Sequence, residues 1–164
     1  MATTRVIDTD NDVWHAEYRR VLAAAGMQAP MIIYANGGND IVLFAYHDDA
    51  VVGVASGRAL RYEPYAFTER FGAFAELRPP QAMLDKVAVI PDVRGQGVGR
   101  LLMKSFALAM QDEGCTHVAL QVDWSTDRES RLRFFSGCGL SSLLEDREDD
   151  LLGARITTVL EQVG

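Results

Sequence analysis

The residues best able to do chemistry are concentrated between positions 85 and 104. There Arg94, Gly95, Gln96, Gly97, Val98, Gly99 and Arg100 follow a strand-like run and lead into a helix-like one. Glycines at alternate positions let a backbone come close to a ligand and adopt positive φ where a turn demands it. A strand that ends in such a turn, with a helix starting near Val98, aims a helix N-terminus and its unpaired N–H groups at one point. The product is an anion pocket that needs no metal. Arg94 and Arg100 bracket the turn, and Lys104 sits one helical turn beyond Arg100. The only two lysines of the chain, Lys86 and Lys104, both fall in this region. A turn that uses glycine only for tight packing would have the same glycines, but the flanking cations favour a phosphate ligand. A dinucleotide fingerprint would need glycine where Arg100 stands, and a P-loop would need glycine where Met103 precedes Lys104.

Other candidates are sparse. Asp85 lies on the strand before the turn, and simple alternation puts it on the face of Val87 and Val89. It is either a general base or an ordinary strand-end carboxylate beside Lys86. His15, His47 and His117 share no ligand spacing with a cysteine pair, so no metal is expected. Cys115 and Cys138 form no CxxC pair and suggest structural thiols in a reducing compartment. Gly53-Val-Ala-Ser56-Gly57 misses the GxSxG elbow by one residue, which leaves a serine hydrolase without support.

The elements that must position these residues are legible from periodicity. Residues 3–7 read as a short strand. Val13, Trp14, Tyr18, Val21, Leu22 and Ala25 recur at helical spacing, with Asp10, Asn11 and Asp12 as possible caps and Gly26 as the stop. Residues 41–46 and 50–56 around His47, Asp48 and Asp49 read as an antiparallel hairpin. Residues 61–80 form a long connection with some helix, rich in aromatics and carrying Glu63, Glu69 and Glu76. Residues 83–90 are a strand stopped by Pro91, and the helix from Val98 closes at Gly114. Residues 117–122 alternate as a strand. Thr126 and Glu129 fit a capping box, opening a helix through Leu132 and Phe135 that Gly137 and Gly139 close. The acidic run 145–150 reads as a solvated turn. The β-branched run 154–160, within residues 151–163, reads as a last strand. Strands and helices alternate in this half, which implies an α/β unit.

Composition sets the outer limits. The chain has 164 residues and is 48% hydrophobic, enough for one domain over residues 1–164 with a core of its own. Sixteen basic residues stand against 23 acidic ones, a net charge of −7. Such a chain repels phosphate overall, so neither nucleic acid nor an anionic membrane is an expected partner. There is no apolar leader after Met1 and no bilayer-length apolar run, and a cytoplasmic location is expected.

Following the strand of residues 87–89, the pattern Arg94-x-x-Gly97-x-Gly99 resembles the Q/R-x-x-G-x-G/A motif of the GNAT family of N-acetyltransferases. Val52, Gly53, Val54 and Ala55 resemble that family's second and third strands. Phe134, Phe135, Gly139 and Leu140 resemble its FYxxxGF helix-to-strand passage, so the likeness covers residues 41–140. The resemblance implies an α/β fold: a mixed, mostly antiparallel sheet with splayed central parallel strands, flanked by helices. It implies acetyl-CoA as acyl donor, its pantetheine arm paired with Val87, Ala88 and Val89. The pyrophosphate would rest on Arg94, Gly95, Gln96, Gly97, Val98 and Gly99, with Arg100 adjacent. Acetyl transfer to an amine, of a small molecule or a peptide, would be direct, in a monomer or homodimer. Within that frame Asp85 is nominated as the base, and Glu63, Glu69 and Glu76 are its rivals and candidate acceptor-side groups. Two positions depart from the pattern. Phe135 stands where the family has the tyrosine thought to protonate the leaving thiolate, and Arg128 stands near where an asparagine is often found. The alternative is a non-catalytic acyl-CoA sensor that kept the cleft and lost the chemistry.

Overall fold

The computed structural model describes residues 1–28, 40–60, 77–78, 80–122, 127–143 and 151–164. Seven strands form one sheet in the order β1-β2-β3-β4-β5-β7-β6. These are β1 (Thr3–Val6), β2 (Asp40–His47), β3 (Ala50–Leu60), β4 (Gln81–Val89), β5 (His117–Gln121), β6 (Ser141–Ser142) and β7 (Leu151–Arg155). Among the described residues there are four α-helices: α1 (His15–Ala24), α2 (Val98–Asp112), α3 (Arg128–Gly137) and α4 (Ile156–Val163). Every strand pair is antiparallel except β4 with β5. That parallel pair requires a crossover connection, which α2 supplies.

The β2–β3 hairpin turns on Asp48 and Asp49, with φ of 50° and 63°. Two successive positive φ values match the right-handed twist of the flanking strands, and aspartate tolerates that region better than most residues. Each face of the sheet carries a core. On one side Trp14, Tyr18, Val21 and Leu22 of α1 pack on Val42, Phe44, Val54 and Ala88. On the other, Leu102, Phe106 and Met110 of α2, Phe135 of α3, and Ile156 and Val159 of α4 pack on Leu43, Ala55, Leu84, Val87 and Val118. No described helix is long and apolar enough to cross a membrane.

The β4–β5 ladder is short. Only Ala82 with Val118 and Met83 with Ala119 are in register, whereas β3 stays paired with β4 from Leu60↔Gln81 to Gly53↔Val89. Beyond Met83 the two central strands part, which is the splay that the family resemblance implies.

Three expectations need correction. The run 154–160 is not a strand: β7 ends at Arg155 and α4 begins at Ile156. Ile156, Val159 and Val163 are buried and Leu160 is partly so, an i, i+3, i+4, i+7 stripe, and tertiary packing of that stripe overrides the β-branched propensity of Thr157, Thr158 and Val159. The cap of α3 is Asp127 rather than Thr126, which lies outside the described residues. The Asp127 carboxylate accepts from the Ser130 N–H at 3.3 Å and the Ser130 hydroxyl at 2.7 Å, and these bonds lower its pKa. Val13 precedes α1 and is 81% exposed, so it does not belong to the apolar stripe. Residues 61–76 and 145–150 lie outside the described residues, and Glu63, Glu69 and Glu76 lie there too.

The helical assignment of residue 157 has a sign that can be measured. Thr157 is exposed on α4. Thr157→Ala should raise stability by a few tenths of a kcal/mol, up to about 0.5, because alanine is the better helix former. In a strand the same change would lower stability. Urea denaturation midpoints of the two proteins decide the sign.

Candidate active site

The glycine-rich turn lies where β4 leaves the sheet. Ile90 N–H donates to the Val52 carbonyl at 3.0 Å, which holds the exit of β4 against β3. A 3₁₀ turn (Pro91–Val93) follows, then Arg94 in an extended conformation. Gly95 and Gly97 have φ of 77° and 83°, a region that costs other residues roughly 1–2 kcal/mol. A Cβ at either position would meet nothing within 4 Å, so this side of the turn is open. Gly97 is the N-cap of α2, and it has no side chain with which to cap it. Leu101 N–H takes the Gly97 carbonyl at 3.0 Å, leaving the N–H groups of Val98, Gly99 and Arg100 without partners inside the helix. Those three donors and the positive end of a 15-residue helix point to the same opening. Gly99 serves a different purpose. A Cβ there would lie 2.9 Å from Cε2 of Phe134, so glycine lets α3 pack directly on the first turn of α2.

The backbone of β4 supplies the second half of the site. The Ile90–Val52 bond makes that couple a hydrogen-bonded pair, and the register then alternates. Lys86 and Ala88 turn their amides toward β3, whereas Val87 and Val89 turn theirs away, toward the space that β5 has left. Arg94 marks the mouth of this space: its Nε donates to the Val89 carbonyl at 3.2 Å. Of the three residues expected to pair with an extended ligand, Val87 and Val89 have the geometry for it. Ala88 is engaged with β3 instead.

The cations divide by role. Arg94 is exposed beside the turn, and Lys104 is exposed on α2. Arg100 donates to the Gly137 carbonyl at 3.3 Å and to the Gln162 carbonyl, joining the C-terminal ends of α3 and α4. A guanidinium suits that place, since two sets of helix-end carbonyls meet there. Its neighbour Cys138 is fully buried, and burial pushes its thiol pKa up to about 11, with Arg100 opposing weakly. A thiol held protonated in this way is a packing group, as is buried Cys115.

Asp85 departs from simple alternation. The β3–β4 register shifts between Ser56 and Gly57, with Ser56 opposite Lys86 and Gly57 opposite Leu84, so Asp85 is the extra residue of a β-bulge. Leu84 and Val87 both face the core under α2. Asp85 therefore lies on the α1 face, opposite to Val87 and Val89 rather than with them. There it accepts from Arg58 Nη2 at 3.0 Å and Nε at 3.3 Å. The same face carries a buried pair: the hydroxyls of Tyr18 and Ser56 are 2.8 Å apart. Burial raises the Tyr18 pKa, the Ser56 hydrogen bond works against that, and the Asp85 charge raises it further. The sequence does not show the pairing of Tyr18 with Ser56 or of Arg58 with Asp85, because Tyr18 reads as one more member of an apolar stripe until β3 is laid beside it. Phe135 is 4% exposed inside the core under α2, and Arg128 is exposed on the first turn of α3. Among the described residues no group of three or more His, Cys, Asp or Glu could hold a metal ion.

The two kinds of glycine should respond differently to the same methyl. Gly97→Ala should cost roughly 1–2 kcal/mol through φ alone, whatever its neighbours are. Gly99→Ala should cost about 1–3 kcal/mol by overpacking, and Phe134→Leu should relieve much of that loss. A double-mutant cycle by denaturation checks this: strong coupling to Phe134 at position 99, none at position 97.

A sequence model of the acetyltransferase (GNAT) family matches residues 7–140. No curated protein sequence matches the chain. The fold is similar to that of the ribosomal-protein-S18-alanine N-acetyltransferase from Escherichia coli, at 14% identity and a TM-score of 0.63 over 95% of this chain and 94% of that one. It is also similar to the PaiA N-acetyltransferase from Thermoplasma acidophilum in complex with coenzyme A, at 12% identity and a TM-score of 0.61 over 94% and 99%. An aminoglycoside acetyltransferase from an uncultured soil metagenomic sample, in complex with sisomicin, matches at 20% identity and a TM-score of 0.61 over 82% and 85%. With the family model spanning the turn, the splayed strands and the helix-to-strand passage, the chain belongs to the GNAT family of acetyltransferases.

Proposed function

We propose that this acetyltransferase moves the acetyl group of acetyl-CoA directly to a primary amine, on a small cationic molecule or a peptide. The observation that carries the reading is the meeting of two sets of outward-turned backbone donors: the helix-start N–H groups of Val98, Gly99 and Arg100, and the N–H groups of Val87 and Val89. The first suits a pyrophosphate and the second an extended amide-bearing arm, which would add to β4 much as a strand does. Bound there, acetyl-CoA supplies a thioester whose carbonyl carbon takes the new C–N bond while the C–S bond breaks.

The chain's own groups orient that exchange. An outward N–H of β4 near the bulge polarises the carbonyl oxygen, and the cleft holds amine and thioester in reach of each other. Asp85 accepts the proton that the ammonium gives up, and its ion pair with Arg58 keeps the carboxylate in place on the α1 face. Phe135 has no proton to give, so water or another hydroxyl protonates the departing thiolate. A cationic acceptor suits a chain of net charge −7, with Glu63, Glu69 and Glu76 as the acceptor-side carboxylates. The relatives with related folds include one whose name states an alanine acceptor on a ribosomal protein and one crystallised with sisomicin, so both acceptor classes belong in the assay. A second reading, a non-catalytic acyl-CoA binder, is favoured by Phe135 alone.

Thiol release from acetyl-CoA over a panel of amines and peptides separates the two readings. The transferase releases thiol only with an acceptor present. The binder shows an acetyl-CoA-dependent rise in melting temperature and no release. Asp85→Asn should lower kcat by about 10²-fold or more with the Michaelis constant for acetyl-CoA unchanged. Full activity in that variant would assign the base elsewhere. Arg94→Gln should weaken acetyl-CoA binding, because its guanidinium lies at the edge of β4 beside Val89, whereas Arg100→Gln should chiefly lower stability, because its guanidinium joins the ends of α3 and α4.

A further inference from the structure

Gln81 and Ser56 are the buried polar side chains among the described residues, and Gln81 lies where β4 and β5 are still joined. Its Oε1 accepts from the His117 N–H at 2.9 Å, the Thr116 N–H at 3.2 Å and the Thr116 hydroxyl at 3.3 Å. Its Nε2 donates to the Arg78 carbonyl at 2.9 Å and to Thr116 Oγ1 at 3.0 Å. The amide group thus uses its whole donor and acceptor capacity. It satisfies two backbone N–H groups at the start of β5 and one carbonyl before β4. In effect it is an additional rung, made by a side chain, at the end of a backbone ladder that consists of Ala82↔Val118 and Met83↔Ala119. Thr116 is tied a second time, its carbonyl accepting from the Ile156 N–H at 2.9 Å where α4 begins. The hydroxyl–imidazole contact of Thr116 with His117 Nδ1, at 2.8 Å, completes the cluster.

From these contacts we propose that Gln81 is a positioning residue that fixes the pivot from which β4 and β5 diverge, and so sets the width of the gap beside Val87 and Val89. Two strands fastened at one end only have their separation at the other end governed by the fastening. A residue that doubles the short ladder acts on the cleft from a distance, without touching its contents. The assignment rests on the reading of that gap as the acyl-donor cleft.

Gln81→Met keeps the length of the side chain and removes every hydrogen bond of the amide, including the acceptor that the part-buried N–H groups of Thr116 and His117 share. Gln81→Glu keeps the acceptors for those two N–H groups and loses the donors to Arg78 and Thr116. Thr116→Val removes the hydroxyl alone and serves where Gln81→Met fails to fold. Two quantities are read on each folded variant: the dissociation constant for CoA by isothermal titration calorimetry, and amide hydrogen exchange at Ala119, whose N–H faces β4, against Val118, whose N–H faces β7. Gln81→Met should weaken CoA binding at least five-fold and speed exchange at Ala119 at least ten-fold relative to Val118, with kcat at saturating substrates within two-fold of the wild type. Gln81→Glu and Thr116→Val should fall between. Unchanged exchange overturns the pivot, and faster exchange with unchanged CoA affinity overturns its control of the cleft. A wild type that binds no CoA contradicts the proposed function and with it the role of the pivot in donor binding. The exchange arm still decides whether Gln81 joins the strands.

Discussion

The structure depends on one asymmetry in the hydrogen bonding of β4. On its β3 side the strand is paired along its full length, and on its β5 side it is paired only at Ala82 and Met83. Buried or half-buried backbone groups do not stay unpaired without cost, so the far edge of β4 is a standing demand for partners. Part of that demand is met inside the chain, where Arg94 reaches back to the Val89 carbonyl. The rest is what the proposed acyl-CoA would meet with its own amides. The fold does not so much contain a pocket as leave a strand position vacant.

The turn after β4 adds charge complementarity to that geometry. An acidic protein attracts an anion only where local fields oppose the global one. Here the local field comes first from the backbone, through the start of α2, and only then from side chains. Lys104 remains exposed near the turn, but Arg94 holds the Val89 and Ala25 carbonyls and Arg100 the ends of α3 and α4. Counting cations in the sequence therefore overstates the side-chain contribution and understates that of Gly97, whose lack of a capping group keeps the helix-start donors available.

What was legible in the sequence is what local chemistry dictates. Alternate glycines, a strand before them and an amphipathic helix after them located the turn and its place in the fold. Three features escaped because each depends on something that a single strand of text does not carry. Residues 156–163 contain β-branched side chains whose helical stripe matters only once α2 is there to bury it. The face of Asp85 is set by a bulge, and one inserted residue reverses every assignment made by alternation. The partner of Tyr18 is Ser56, thirty-eight residues away on a strand that has to be laid under α1 first. The same limit applies to the three glycines: the sequence treats them alike, whereas Gly95 and Gly97 are held by φ and Gly99 by the ring of Phe134.

Whether an acyl-CoA occupies the vacant strand position with its phosphates at the start of α2 is decided by a two-dimensional NMR titration of nitrogen-15-labelled protein with CoA. The amides of Gly97, Val98, Gly99 and Arg100 should shift as the pyrophosphate docks. Along β4 the shifts should alternate, large at Val87 and Val89, whose N–H groups face the gap, and small at Ala88, whose N–H faces β3. Shifts confined to other surfaces, or of equal size at all three β4 positions with none at the turn, would contradict that placement.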